Sequence, residues 1–284
     1  MFNFPIGVLI DSFKLPLDEA LKETVKIGAQ GFQLFTAKGD NTPDQMDKSQ
    51  RRELLRKVED AGLVISALCG DFGEGGFINP ERNKWVIEAS KRILDQAQDL
   101  GTNIVTTHIG RVPEDPNCDR YKIMQEACFE LARYADSMDA HFAVETGPEP
   151  AARLKAFLDS LNSTGVAVNL DPANLVMVCD DDPVQAVYTL KDYIVHTHAK
   201  DGRMLRKVDP ALLYDGDIEE VISHGKVFEE LPLGQGNVDF DNYLKALEDI
   251  GYRGFLTIER EVGANPAADI GHAADFLRGK IASL

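Results

Sequence analysis

Short apolar runs alternate with longer amphipathic stretches from one end of this 284-residue chain to the other. The runs are 6–10, 31–35, 63–68, 103–108, 141–145, 166–171, 193–198 and 254–259. Each is short and rich in β-branched and aromatic residues, as buried parallel strands are. Between them lie segments with apolar residues at i, i+3 and i+4, near 16–28, 47–62, 80–100, 119–140, 150–162, 183–191, 239–250 and 265–281. Leu244, Leu247 and Ile250 show that spacing. Gly follows several of them, as in DAG before the third run and DIGY before the eighth, where a helix is expected to stop. Strict β/α alternation calls for a parallel sheet. Eight units predict an α/β fold, a closed (β/α)8 TIM barrel, as a single domain over 1–284. The open alternative, a doubly wound sheet, calls for a Gly-rich phosphate loop after an early strand, and the chain has none.

One connection breaks the rhythm. About forty residues separate His198 from the helix expected near Asp239, and loops of that length are commonly functional. It leaves the C-terminal end of the seventh run, so 201–238 is expected to lie over the catalytic face as a lid or specificity loop.

Bulk properties exclude some functions. A net charge of −17 argues against a nucleic-acid partner, because phosphate binding wants a basic surface. No stretch reaches the roughly 18 uninterrupted apolar residues of a membrane span, and the opening MFNFPIGVLIDSF lacks the basic start and small-residue cleavage site of a signal peptide. The four cysteines, Cys69, Cys118, Cys128 and Cys179, show no CxxC spacing. Reduced thiols and a cytoplasmic location are the expectation.

Four of the runs end on a residue able to bind a metal: Glu145, Asp171, His198 and Glu259. In a parallel barrel these ends share one face, where four side chains from late strands can converge. Three carboxylates and one imidazole suit Mn²⁺, Mg²⁺, Co²⁺ or Fe²⁺ better than a thiolate-type zinc site. Without a cation, three buried carboxylates would repel one another. Around this set, His108 ends the fourth run and is expected to touch substrate or shuttle a proton. His196 shares a face with His198 and is expected at the site as a supporting or substrate-binding group. Lys200 is placed to hold a substrate oxygen, with a solvated pair to Asp201 as the plainer reading. Asn174 is placed to hydrogen-bond a polyol. Arg111, Arg203, Arg206 and Lys207 are the basic residues from which a phosphate site would be built.

These motifs resemble the sugar phosphate isomerase/epimerase family within the xylose isomerase-like TIM barrel superfamily. The matching pieces are Val144-Glu145, NLDPAN (169–174), HTHAKDG (196–202), LPLGQGNVDF (231–240) and GYRGFLTIERE (251–261). The resemblance implies one divalent metal held by Glu145, Asp171, His198 and Glu259. Mn²⁺ is the leading expectation, with Mg²⁺, Co²⁺, Fe²⁺ and Zn²⁺ as alternatives. It also implies that Glu145 and Glu259 form the acid/base pair of a sugar epimerase or aldose–ketose isomerase. That enzyme would abstract the proton next to a carbonyl through a metal-bound enediolate. The expected partner is a small sugar or keto-sugar, with no nucleic acid and no membrane. Homo-oligomers are frequent in such barrels. The chain departs from the ketose epimerases at Asn174, where a substrate-contacting histidine often stands. The related DNA-repair endonucleases need extra histidines that it lacks. Two alternatives stay open: a metal-dependent lyase eliminating a leaving group from a keto-glycoside, and a catalytically silent sugar-binding barrel or complex subunit.

Overall fold

The computed structural model describes residues 2–73, 75–216 and 218–284. The strands in chain order are β1 Ile6–Leu9, β2 Gly31–Phe35, β3 Val64–Cys69, β4 Ile104–Thr107, β5 His141–Glu145, β6 Val166–Leu170, β7 Ile194–Ala199, β8 Asp201–Met204, β9 Phe228–Leu231 and β10 Leu256–Ile258. The helices are α1 Leu17–Lys26, α2 Lys48–Asp60, α3 Pro80–Asp99, α4 Asp119–Asp136, α5 Ala151–Leu161, α6 Pro172–Asn174, α7 Pro183–Leu190, α8 Pro210–Tyr214, α9 Ile218–Ser223, α10 Phe240–Asp249 and α11 Pro266–Ser283. Among the described residues, eight parallel strands close in the order β1-β10-β7-β6-β5-β4-β3-β2. Each runs close to the bounds its apolar run predicts. The eight long helices cover the outside, as the (β/α)8 expectation requires.

Local chemistry explains the boundaries. Asp47 accepts from the amides of Ser49 and Gln50 while Gln50 reaches back to the Asp47 amide, a capping box that starts α2. Asn79 caps α3 ahead of Pro80, which supplies the first helical residue without needing its missing N–H. Gly62, at φ 72°, lets the chain leave α2 and enter β3 directly. Strand residues alternate between two destinations. Phe142, Val144, Val166 and Val168 are fully buried and belong to the one hydrophobic core. Gln33, Thr106, Asn169 and Thr257 lie on four alternate barrel strands and hydrogen-bond with their neighbours inside the barrel. A barrel interior is usually filled by aliphatic layers; here this layer is polar, and it underlies the site.

The segment 201–238 is more ordered than the loop expected from the sequence. Strands β8 and β9 pair antiparallel, Asp201 with Leu231 and Met204 with Phe228, and the short α8 and α9 lie between them. No helix among the described residues is long and apolar enough to cross a membrane.

Candidate metal centre

Glu145 ends β5, His198 lies near the end of β7, and Asp171 and Glu259 follow β6 and β10 by one residue. The closed barrel therefore brings them to the same rim. All four are buried, and one donor atom from each lies within 4.8 Å of the others. His198 Nδ1 stands 3.4 Å from Asp171 Oδ2, 3.4 Å from Glu259 Oε2 and 3.7 Å from Glu145 Oε2. Asp171 Oδ2 and His198 Nδ1 are buried without a hydrogen-bond partner among the described residues. Orphaned buried polar atoms are rare in folded proteins. Two of them facing one point, beside two more carboxylates, are what a divalent cation would satisfy. The donor set of three carboxylates and an imidazole fits such an ion.

The rest of the ligand geometry is set from beneath. Gln33 Nε2 donates to Thr106 Oγ1 at 2.6 Å, which turns Gln33 Oε1 toward His198 Nε2 at 3.0 Å. Asn169 Nδ2 also lies 3.2 Å from His198 Nε2, but it donates to Glu145, and the nearer Gln33 oxygen only accepts. That arrangement favours a proton on Nε2 and turns Nδ1 toward the other donors. His196 accepts from Thr257 at 3.0 Å and donates to Asn169 Oδ1 at 2.8 Å. That fixes the Asn169 amide so that Nδ2 donates to Glu145 Oε2 at 3.2 Å. Asn174 Nδ2 donates to the other oxygen of Glu145 at 2.9 Å, and Asp171 caps the turn carrying Asn174 through its backbone amide.

The charges respond to this crowding. Burial disfavours the His198 cation, but Glu259, Glu145 and Asp171 outweigh it and hold its pKa well above the usual imidazole range. A metal ion would take the place of that proton. Burial raises the pKa of Asp171. Burial acts likewise on Glu259, but Lys200 and His198 prevail and hold that carboxyl well below its ordinary range. Lys200 is itself buried, with Nζ 2.8 Å from Glu259 and 2.6 Å from Glu261. His108 contacts Asp71 at 3.1 Å through Nδ1 and faces Glu145 at 3.6 Å through Nε2. Partial burial works against its charge, but Glu145 and Asp71 push its pKa up to about 9.

Above the donors opens a cavity of about 510 Å³. Glu145, Glu259, His108, Asn174 and Lys200 line it, so five of the residues singled out in the sequence meet there. Asp171 does not line it and is fully buried. His196, expected among the substrate contacts, does not line it either; it is held under the site between Asn169 and Thr257. The solvated Lys200–Asp201 pair is absent as well. Lys200 turns to the two glutamates, and the buried Asp201 turns the other way to accept from the amides of Gly202, Gly234, Gly236 and Val238. Tyr214, Lys226, Phe228, Glu229 and Glu230 from the 201–238 segment complete the wall. Arg111, Arg203, Arg206 and Lys207 are not in it. The sequence reading passed over Gln33, Asp71, Asn169 and Glu261. Gln33 and Asn169 did carry a signal, a polar residue in the middle of an apolar run.

The chain matches the family model described as "Xylose isomerase-like TIM barrel" over residues 21–280. Among curated proteins it is 22% identical to the L-ribulose-5-phosphate 3-epimerase UlaE of Escherichia coli, covering 99% of this chain and 96% of that protein. Among solved structures it is similar to a xylose isomerase domain protein from Planctomyces limnophilus. That likeness has a TM-score of 0.80 and 25% identity, covering 100% of this chain and 99% of the other. It is also similar to an L-ribulose 3-epimerase, with a TM-score of 0.72 and 19% identity, covering 100% and 95%.

Proposed function

The chain belongs to the xylose isomerase-like TIM barrel family, and from that membership and its four-donor cluster we propose that it is a divalent-metal-dependent sugar epimerase or isomerase. The observation that carries this reading is the convergence of Glu145, Asp171, His198 and Glu259 with two orphaned donor atoms. A divalent ion in their grip, Mn²⁺ first, would polarise a carbonyl and its neighbouring hydroxyl and so acidify the adjacent C–H.

The chain's own groups do the proton work. Glu145 and Glu259 both line the cavity, whereas Asp171 does not. The acid/base pair is therefore Glu145 and Glu259, with Asp171 a ligand alone. One glutamate removes the proton next to the carbonyl and the other returns it from the opposite side. Return to the same carbon inverts it; return to its neighbour interconverts aldose and ketose. Asn174 and Asn169 hold Glu145 in place, and Lys200 does so for Glu259. His108 and Asn174, both in the wall, are the groups placed to meet substrate hydroxyls. His196 acts from below, through Asn169. The 201–238 segment forms part of the single domain and supplies the cavity's outer wall, which makes it the seat of substrate selection. A cytoplasmic setting, with the cysteines as reduced thiols, belongs to the same reading.

The test is Glu145→Gln and Glu259→Gln in the Mn²⁺-loaded enzyme. Each is expected to lower turnover by about 10²–10⁴-fold, the usual worth of a positioned acid or base, while Mn²⁺ still binds. Full activity in either variant refutes the assignment. Product mass separates this reading from elimination of a glycoside leaving group, which releases a fragment. A protein that takes up no stoichiometric divalent ion would be the silent barrel instead.

A further inference from the structure

The cavity above the metal donors holds little positive charge that is free of carboxylates; His108, which lines it, already faces Asp71 and Glu145. Its outer wall carries Glu229, Glu230 and Glu261 beside Met177, Phe228 and Val262. Nearby cations are already committed. Lys200 is clamped between Glu259 and Glu261. Arg260 holds Glu230 at 2.6 Å and Asp269 at 3.0 Å, and Arg203 holds Glu229 at 2.8 Å. Arg111 pairs with Asp215, Lys207 pairs with Asp180, and Arg206 donates to the carbonyls of Val221 and Gly225. No arginine lines the cavity among the described residues. Among the described residues, the exposed Lys226 is the one lining lysine without a carboxylate partner.

Phosphate sites are built otherwise, from guanidinium forks or helix N-termini aimed at the anion. Carboxylates accept from sugar hydroxyls, and apolar side chains cover the C–H faces of a sugar. We propose that the substrate is an uncharged sugar or keto-glycoside, and that Glu229 and Glu261 are specificity-determining residues that turn away phosphate esters. This rests on the sugar-isomerase reading and adds the class of substrate to it. Lys200 and Arg260 are each shared between two carboxylates, so the wall keeps a surplus of negative charge after these pairings. Like charges brought together across a binding surface disfavour the wrong ligand, so that surplus selects by repulsion as well as by fit.

The experiment is calorimetric titration of the Mn²⁺-loaded protein with matched pairs: L-ribulose against L-ribulose 5-phosphate, and D-fructose against D-fructose 6-phosphate. The neutral member of at least one pair is expected to bind roughly tenfold or more tighter than its ester. A Glu229→Gln, Glu261→Gln double variant is expected to narrow that ratio. Equal or tighter binding of the esters overturns the proposal, and so does failure of both members of each pair to bind. An unchanged ratio in the folded double variant removes these two residues from the discrimination. Turnover is followed in parallel. Selective binding of neutral sugars without any interconversion would sink the isomerase reading and leave the selection standing. Efficient conversion of the esters would do the reverse.

Discussion

Gln33 illustrates how a single amide governs the centre from the far side of the barrel. It touches no carboxylate of the cluster, yet its oxygen sets which nitrogen of His198 faces the other donors. Outer partners of metal-binding histidines commonly contribute 10–100-fold to metal affinity. Gln33→Leu, similar in volume but unable to accept, is expected to weaken Mn²⁺ binding by about that factor in calorimetric titration, with far-UV circular dichroism unchanged. Unaltered affinity would show that His198 needs no such support. The four donors could be read from the chain because each is a polar residue closing an apolar run. Gln33 in GFQLF and Asn169 in VAVNLD sit inside their runs, and their purpose lies in partners on other strands. Lys200 stands out in the sequence beside His198, and it lines the cavity. Its engagement with Glu259 and Glu261 is not visible in the sequence, since that pairing spans about sixty residues and depends on β7 and β10 being neighbours.

At the level of elements, the segment after β7 diverges most from its sequence reading. Its length marked it as unusual. Its order comes from Asp201, whose buried carboxylate gathers four backbone amides from its own neighbour and from the Gly-rich turn of 234–238. A Cβ on Gly236 would run into that carboxylate, which explains the glycine. Arg260 adds a second latch by pairing with Glu230 of β9. Asp201→Ala leaves those amides without an acceptor. Each buried donor left unsatisfied costs about 1–3 kcal/mol. With water reaching all but one or two of them, hydrogen exchange across 228–238 is expected to show an opening free energy lower by about 2–4 kcal/mol. Protection equal to that of the parent protein would mean the ribbon is held by other contacts. Local sequence rules see a Gly-rich turn; they do not see a carboxylate more than thirty residues away that the turn wraps around.

For the molecule as a whole, the centre ties strands β5, β6, β7 and β10 to one point, so a bound cation is expected to stabilise the entire barrel. At a free metal concentration of 100 times Kd the gain is about 2.7 kcal/mol. A higher Tm with Mn²⁺, reversed by EDTA and lost in Asp171→Ala, is the expected result of a thermal scan. No shift in the parent protein would mean that the four donors do not hold a metal. The fold class, the eight units and the four donors were determined by the sequence itself. Periodicity and position at the end of a run are local properties, and closure of eight parallel strands leaves every strand C-terminus on one rim. The tertiary structure alone decided which nitrogen of His198 is free, which glutamates reach the cavity, and that 201–238 folds as a ribbon forming its acidic wall. These depend on side chains far apart in the chain meeting at hydrogen-bonding distance, and no spacing rule along a single strand or helix contains that information.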